Sequence, residues 1–376
     1  MGVRIGMLST YPPTQCGIAT FSEALVTHLV AAGADVGLVR LVDAPAPPVP
    51  LVVDQWVTAE PAGAAAAAAT LDDYDVAVVQ HEYGIYGGPD GQDLLDLVAR
   101  LNVPVVAVLH TVLTRPSMNQ HRVMAELVDH AAALVTMTTT ARDRLIAGWG
   151  VDPDRVTVIP HGAEDNRSTI VPFPNGHTRR RRVLTWGLLS EGKGIEWALL
   201  GLAELRRRMP LPDYEVVGQT HPRVLEREGE AYRDRLVEMT ASLHLAERVR
   251  FDRRYLSSPD LREVVRQADV ILLPYDSPDQ VTSGVLTEAV AASKPVISTS
   301  FPHAVELLSS GAGLLVPPRD PSAIAVALER VLTIHGLADQ MAATSRNLAA
   351  SLLWPTVAAR YLELASSMRA LTVRAV

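Results

Sequence analysis

Two short segments in the second half of the chain carry residue types suited to holding phosphate. The first is Trp186-Gly187-Leu188-Leu189-Ser190-Glu191-Gly192-Lys193-Gly194, which follows an apolar run and leads into an amphipathic one. Glycines let a backbone approach a ligand closely. A helix start offers unpaired N–H groups and partial positive charge, to which Lys193 adds a full charge. The second segment is Gln280-Val281-Thr282-Ser283-Gly284-Val285-Leu286-Thr287-Glu288, which enters a helix near Ser283. Free amides at Ser283, Gly284 and Val285 would hold a second set of phosphate oxygens, and Glu288, about one turn in, would accept hydrogen bonds from ribose hydroxyls. Each segment also has a plainer reading. Gly-Lys-Gly occurs in many turns, and the second segment reads equally as a capped surface helix with Glu288 solvated. Two more polar stretches, Gly218-Gln219-Thr220-His221 and Pro302-His303-Ala304-Val305-Glu306, end strands on the same expected rim and place Gln219 beside the same ligand.

In the first half, polar residues again cluster where apolar runs end. Val79-Gln80-His81-Glu82-Tyr83 and Val108-Leu109-His110-Thr111 bring two histidines and a carboxylate to strand ends, where His81 and Glu82 could bind the hydroxyls of a ligand. Arg115, Gln120 and Arg142 are weaker candidates for the same cleft. His81, His110 and His121 lie on separate elements and fit no metal-ligand spacing, so no metal is expected. Cys16 has no neighbouring base in sequence and reads as a packed thiol, not a nucleophile.

These residues must be positioned by a regular framework. Strands are expected at Val3–Leu8, Val36–Leu41, Val76–Gln80, Val105–Leu109, Ala133–Met137 and Val156–Ile159, with helical spacing over 18–32, 92–101, 119–131 and 139–148. Apolar runs without polar alternation indicate parallel strands buried on both faces. A turn-rich, charged stretch at 164–182 reads as a linker. The rhythm then restarts, with strands at 183–186, 214–217, 248–251, 270–273, 296–298 and 313–316 and helices at 194–208, 229–243, 259–267, 284–292 and 321–332. Helical segments near 336–350 and 355–371 close the chain. The class is therefore α/β, with two doubly wound domains and the site expected where their loops meet.

Bulk properties narrow the function. The chain has 376 residues, 48% hydrophobic and 20% charged, which is globular and long enough for two domains. A net charge of −8 argues against general nucleic-acid binding. One cysteine allows no intrachain disulfide, and no apolar stretch reaches the roughly 20 residues that span a bilayer, so the cytoplasm is the expected location. The clusters Arg179–Arg182 and Arg206–Arg208 could touch an anionic membrane, though solvated faces are the preferred reading. One glycine after the first strand, with Pro12-Pro13 before it, does not make a dinucleotide-binding fingerprint.

The order of motifs resembles glycosyltransferase family 4, the group 1 retaining enzymes of the GT-B fold. The resemblance rests on the Gly187–Gly194 and Gln280–Glu288 segments, on Gly311-Ala312-Gly313-Leu314-Leu315-Val316-Pro317-Pro318, on Val158-Ile159-Pro160-His161-Gly162 and on Trp354-Pro355. It implies a Rossmann-like acceptor domain at 1–175, a donor domain at 176–353 and a helix at 354–376 packing back on the first domain. It implies transfer of a hexose from a nucleoside diphosphate sugar to a hydroxyl acceptor, without a metal or other cofactor. Lys193, Glu288 and His110 would be catalytic, and Gly187, Gln219, Gln280, Ser283, Gly284 and Val285 would bind the donor. Gly17, with His81 and Glu82, would lie by the acceptor. Two positions depart from the family pattern. Leu188 stands where an arginine is usual, and Gln280 replaces the first of a glutamate pair. A sugar phosphorylase, a sugar-nucleotide epimerase or a binding partner that has lost catalysis are the alternatives these departures leave open.

Overall fold

The computed structural model describes residues 2–58, 60, 62–167 and 180–375. The chain divides into two compact units, Met1–Gly162 with Trp354–Val376, and Ala163–Leu353. The expected domain boundary at 175/176 and most of the expected linker fall at 168–179, outside the described residues.

The first unit contains β1 (Arg4–Ser9), α1 (Gly17–Ala31), β2 (Asp35–Val42), β3 (Val52–Val57), α2 (Gly63–Leu71), β4 (Val76–His81), α3 (Leu94–Val98), β5 (Val105–Leu109), α4 (Met118–His130), β6 (Ala133–Thr136), α5 (Thr139–Trp149) and β7 (Val156–Val158). Its seven strands are parallel in the order β3-β2-β1-β4-β5-β6-β7. Every residue of β4 and of β5 is buried, as unbroken valine-rich runs require when helices cover both faces. Helix starts are fixed locally. Cys16 caps α1 through Sγ, which accepts from Ala19 N, and Ser117 and Gln120 form a reciprocal capping box on α4.

The second unit contains β8 (Arg182–Trp186), α6 (Ile195–Leu205), β9 (Asp213–Val217), α7 (Pro222–Glu228), α8 (Ala231–Ser242), β10 (Val249–Asp252), α9 (Ser258–Gln267), β11 (Val270–Leu273), α10 (Gly284–Ala291), β12 (Val296–Thr299), α11 (Pro302–Leu308), β13 (Gly313–Val316), α12 (Pro321–Thr333) and α13 (Leu337–Leu352). Its six parallel strands run β10-β9-β8-β11-β12-β13. The last helix, α14 (Trp354–Ala375), belongs to the first unit, where Trp354, Val357, Ala358 and Tyr361 join the core of β1 and α1.

The two sheets and the α/β class match expectation, each unit being built on one parallel sheet. Four elements were not expected. β3 follows the proline-rich stretch 45–50 and carries Asp54 and Gln55, so it lacks a strand's apolar signature. The alanines of α2 give no apolar-polar contrast and hence no helical period. Helices α7 and α11 each open on a proline and span only seven residues, so they read as loop. The helix expected over 92–101 is only α3, preceded by a 3-10 turn at Pro89–Gly91.

Candidate functional site

In the second unit the chain enters at β8 in the middle of the sheet, runs outward to β9 and β10, and returns to β11 on the other side of β8. The loops after β8 and β11 thus part at a topological switch point, where doubly wound sheets take ligands. They are tied to one another. Asp276 N donates to Gly192 O at 2.8 Å. Gly194, at φ +65°, lies so close that a Cβ there would sit 1.9 Å from Pro274 O. The loop after β9 is stitched on by Leu189 N to Gln219 O and His221 N to Leu189 O, both 2.8 Å. Gly218 permits this, since its φ is +136° and a Cβ would meet Gly187 O at 2.1 Å.

The side chains on these loops converge. The Lys193 ammonium lies 4.5 Å from the Tyr275 ring centroid, and burial lowers its pKa to about 8. It is therefore mostly protonated at neutral pH yet poorly hydrated, a state that favours pairing with an anion. Gly187 faces the start of α10, where a Cβ would stand 3.5 Å from Val285 Cγ2. Glu288 is raised to about 7, chiefly by burial and also by Glu164, against the indole hydrogen bond of Trp186 and the charge of Arg262. The amides of Gly284 and Val285 belong to the first turn of α10 and have no intrahelical acceptor.

The free amide expected at Ser283 is not available. Its N–H donates to His303 Nδ1 at 2.9 Å, while its Oγ caps Leu286 N at 3.2 Å. Gln280 turns back on its own loop, donating from Nε2 to Thr282 O at 3.0 Å. Leu188 and Gln219 are both half-buried at the strand ends. Behind the Gly218 turn stands Arg233, fully buried, donating to Gly218 O at 2.7 Å and to Glu230 at 3.0 Å. Trp186 and His303 lie in segments read from the sequence but were given no role there, and Tyr275 and Arg233 were given none either, since only strand crossings bring them to this edge.

In the first unit the switch point lies between β1 and β4. Gly17 opens α1 beyond β1, exposed. His110 follows β5, its Nε2 2.8 Å from Gln80 Oε1 and its ring packed edge-on against Phe21 at 5.0 Å. Phe21 also meets His161 and Trp354. Glu82 accepts from Thr111 Oγ1 and from Tyr83 N, and burial raises its pKa. His81 is 1% exposed, with its ring against Tyr83, so it lies beneath the surface and not on it. Burial lowers His81 and His161 to about 4, and lowers His110 to about 3 with help from the other two rings. All three imidazoles are therefore neutral at pH 7.

Two of the weaker candidates are engaged elsewhere. Gln120 serves the α4 cap and Asp90, and Arg142 lies beside Asp143. His121 stacks on Trp149. Among the described residues no group of three His, Cys, Asp or Glu side chains could hold a metal ion. Among them, too, no helix is long and apolar enough to cross a membrane. Arg206 donates to Leu243 O and His244 O, and Arg208 pairs with Glu329.

Residues 180–333 match the family described as Glycosyl transferases group 1, and residues 16–167 match Glycosyltransferase Family 4. The D-inositol 3-phosphate glycosyltransferase of Corynebacterium diphtheriae is 30% identical over 309 residues, 76% of this chain and 69% of that protein. Its namesake in Rhodococcus opacus is 29% identical over 63% of this chain and 54% of that protein, little more than half its length. Among solved structures, Anabaena HepE in complex with UDP has a TM-score of 0.76 at 18% identity, covering 97% of this chain and 100% of that one. Sucrose-phosphate synthase from Thermosynechococcus elongatus has a TM-score of 0.77 at 18% identity, covering 98% and 100%. With both halves matched in family sequence and the whole in fold, the chain belongs to the group 1, family 4-like glycosyltransferases of the GT-B fold.

Proposed function

We propose that the protein transfers a hexose from a nucleoside diphosphate sugar to a hydroxyl acceptor, with retention of anomeric configuration. The observation that carries this reading is that the loops after β8 and β11 are bonded together, with the Lys193 ammonium over Tyr275 and Gly187 against Val285 at the start of α10. In this reading the diphosphate rests between the Lys193 ammonium and the amides of Gly284 and Val285, and these donors stabilise it as it leaves. Glu288 takes the ribose hydroxyls. The glycosidic C–O bond to phosphate breaks as the acceptor oxygen bonds to the same face of the anomeric carbon. The acceptor's proton passes to the departing phosphate oxygen. Relatives named for D-inositol 3-phosphate, and the structures of HepE with UDP and UDP-glucose, support a nucleotide sugar donor and a polyol acceptor. A cytoplasmic site of action fits the single cysteine, Cys16.

A thermal-shift screen of nucleoside diphosphates and their sugars tests the reading, since a ligand that binds only the folded state raises Tm. UDP or another nucleoside diphosphate should raise the Tm of the wild type and not that of Lys193→Ala. Transfer from the donor so identified should fall at least about 100-fold in Lys193→Ala. Unchanged turnover in that variant would overturn the assignment, and turnover with inorganic phosphate in place of the nucleotide would indicate a phosphorylase.

A further inference from the structure

Gln80 was not expected in the site, yet its side chain is the polar partner that holds the His110 ring. It is the fifth residue of β4 and is 0% exposed. Its Oε1 lies 2.8 Å from His110 Nε2, across the β4–β5 pair that sets Gln80 opposite Val108 and His81 opposite Leu109. The backbone repeats the tie, with His110 N donating to His81 O at 3.1 Å. Phe21 closes off the ring at an interplanar angle of 85°.

A neutral imidazole has one donor nitrogen and one acceptor. The amide oxygen at Nε2 requires the proton there, which leaves Nδ1 bare. Nδ1 makes no hydrogen bond to a described residue, and it is not among the side-chain atoms sealed from solvent without a partner, as Gln80 Nε2 and His81 Nδ1 are. The ring is thus held on one side by Gln80 and open to a ligand at the other nitrogen.

We propose that Gln80 is a positioning residue, which fixes His110 as the Nε2–H tautomer so that its bare Nδ1 accepts a hydrogen bond from a sugar hydroxyl. The proposal rests on His110 belonging to the site of the glycosyl transfer described above. The opposite orientation of the Gln80 amide would put the proton on Nδ1 and make His110 a donor, so the two arrangements differ in a measurable atom.

Histidine-selective ¹⁵N labelling of the full chain, with His110→Asn to identify the resonance, reads the tautomer directly. The wild type should show a protonated Nε2 and a bare Nδ1 from pH 6 to 8. Gln80→Leu should give a mixture of tautomers, and Gln80→Glu, which keeps an acceptor at Nε2, should restore the wild-type pattern. With UDP-glucose as the probe, kcat should fall at least about tenfold in Gln80→Leu with KM within about twofold, and Gln80→Glu should recover part of the loss. A protonated Nδ1 in the wild type, or an unchanged tautomer in Gln80→Leu, overturns the proposal. If Gln80→Leu does not fold, the wild-type spectrum and Gln80→Glu still decide it. If the wild type turns over neither UDP-glucose nor any other nucleotide sugar, the functional reading falls while the tautomer still settles what Gln80 does.

Discussion

Gly17 opens α1 without any of the constraints that usually demand glycine. Its backbone is not left-handed, it is exposed, and a Cβ there would meet nothing within 4 Å. Nothing in its own unit explains it, whereas a ligand passing close over the helix start would. Gly17→Ala should therefore leave stability unchanged or raise it by up to about 1 kcal/mol through the unfolded chain, read as an unchanged or higher Tm. The same variant should lower kcat/KM for the nucleotide sugar. Full activity would remove Gly17 from the site. At this scale the sequence was legible where a residue carries its chemistry openly. Lys193 before a helix and Glu288 inside one announce themselves by charge and position. Tyr275, Trp186 and Gln80 do not, because an aromatic ring or an amide at a strand end acquires meaning only from the neighbour across the sheet. The burial of His81 was not legible for the converse reason: a strand-end histidine reads as exposed, and here β4 runs one residue further than the expected Val76–Gln80 and carries His81 inward.

The loops after β8 and β11 act as one element because glycine lets them touch. Gly194→Ala adds a left-handed penalty of about 1–2 kcal/mol and drives a methyl into Pro274 O, 1.9 Å away. The expected cost is at least about 2 kcal/mol, a fall of roughly 4–8 °C in Tm, with loss of the stabilisation given by UDP. Gly192→Ala separates strain from collision. Its φ is +86°, but the nearest atom to a new Cβ is Ser277 Oγ at 3.4 Å, so it should cost less and keep the nucleotide response. Equal losses in the two variants, by thermal shift with and without UDP, would show that the Pro274 contact does not matter. Strand and helix order was readable at this scale because parallel strands buried on both faces appear as unbroken apolar runs. β3 and α2 escaped because a half-exposed edge strand with Asp54 and a run of alanines both lack contrast. Helices α7 and α11 escaped because seven residues behind a proline hold too little period to detect.

Over the whole molecule, the two units should lose stability at opposite ends of the pH range. In the first unit the folded state holds His81 and His161 at about 4 and His110 at about 3, from an ordinary 6.5. Below pH 6.5 the unfolded chain takes up protons that these buried rings refuse, so stability is full above 6.5 and drains away as pH falls toward 4. His81 and His161 each contribute at most on the order of 3 kcal/mol to this loss, and His110 at most on the order of 5 kcal/mol. Glu82, raised by burial, pulls the other way in the same unit, as one group against three. In the second unit Glu288 is raised from 4.5 to about 7. The folded state there holds a proton that the unfolded chain releases, so its contribution is full below 4.5 and is lost as pH rises through 7. Two groups oppose it: Lys193, lowered by burial to about 8, whose contribution grows as pH rises through 8, and His221, lowered by burial and by Lys193, from a half-exposed position. Hydrogen exchange followed by mass spectrometry, corrected for intrinsic rates, resolves the two limbs. From pH 7 to 5, peptides covering 105–111 and 156–162 should lose protection. From pH 6 to 8, peptides covering 284–291 should do so, and Glu288→Gln should abolish that second change while leaving the first. Loss of protection in both units on the same side of neutrality would show that neither the histidine cluster nor Glu288 governs the pH limits of the fold.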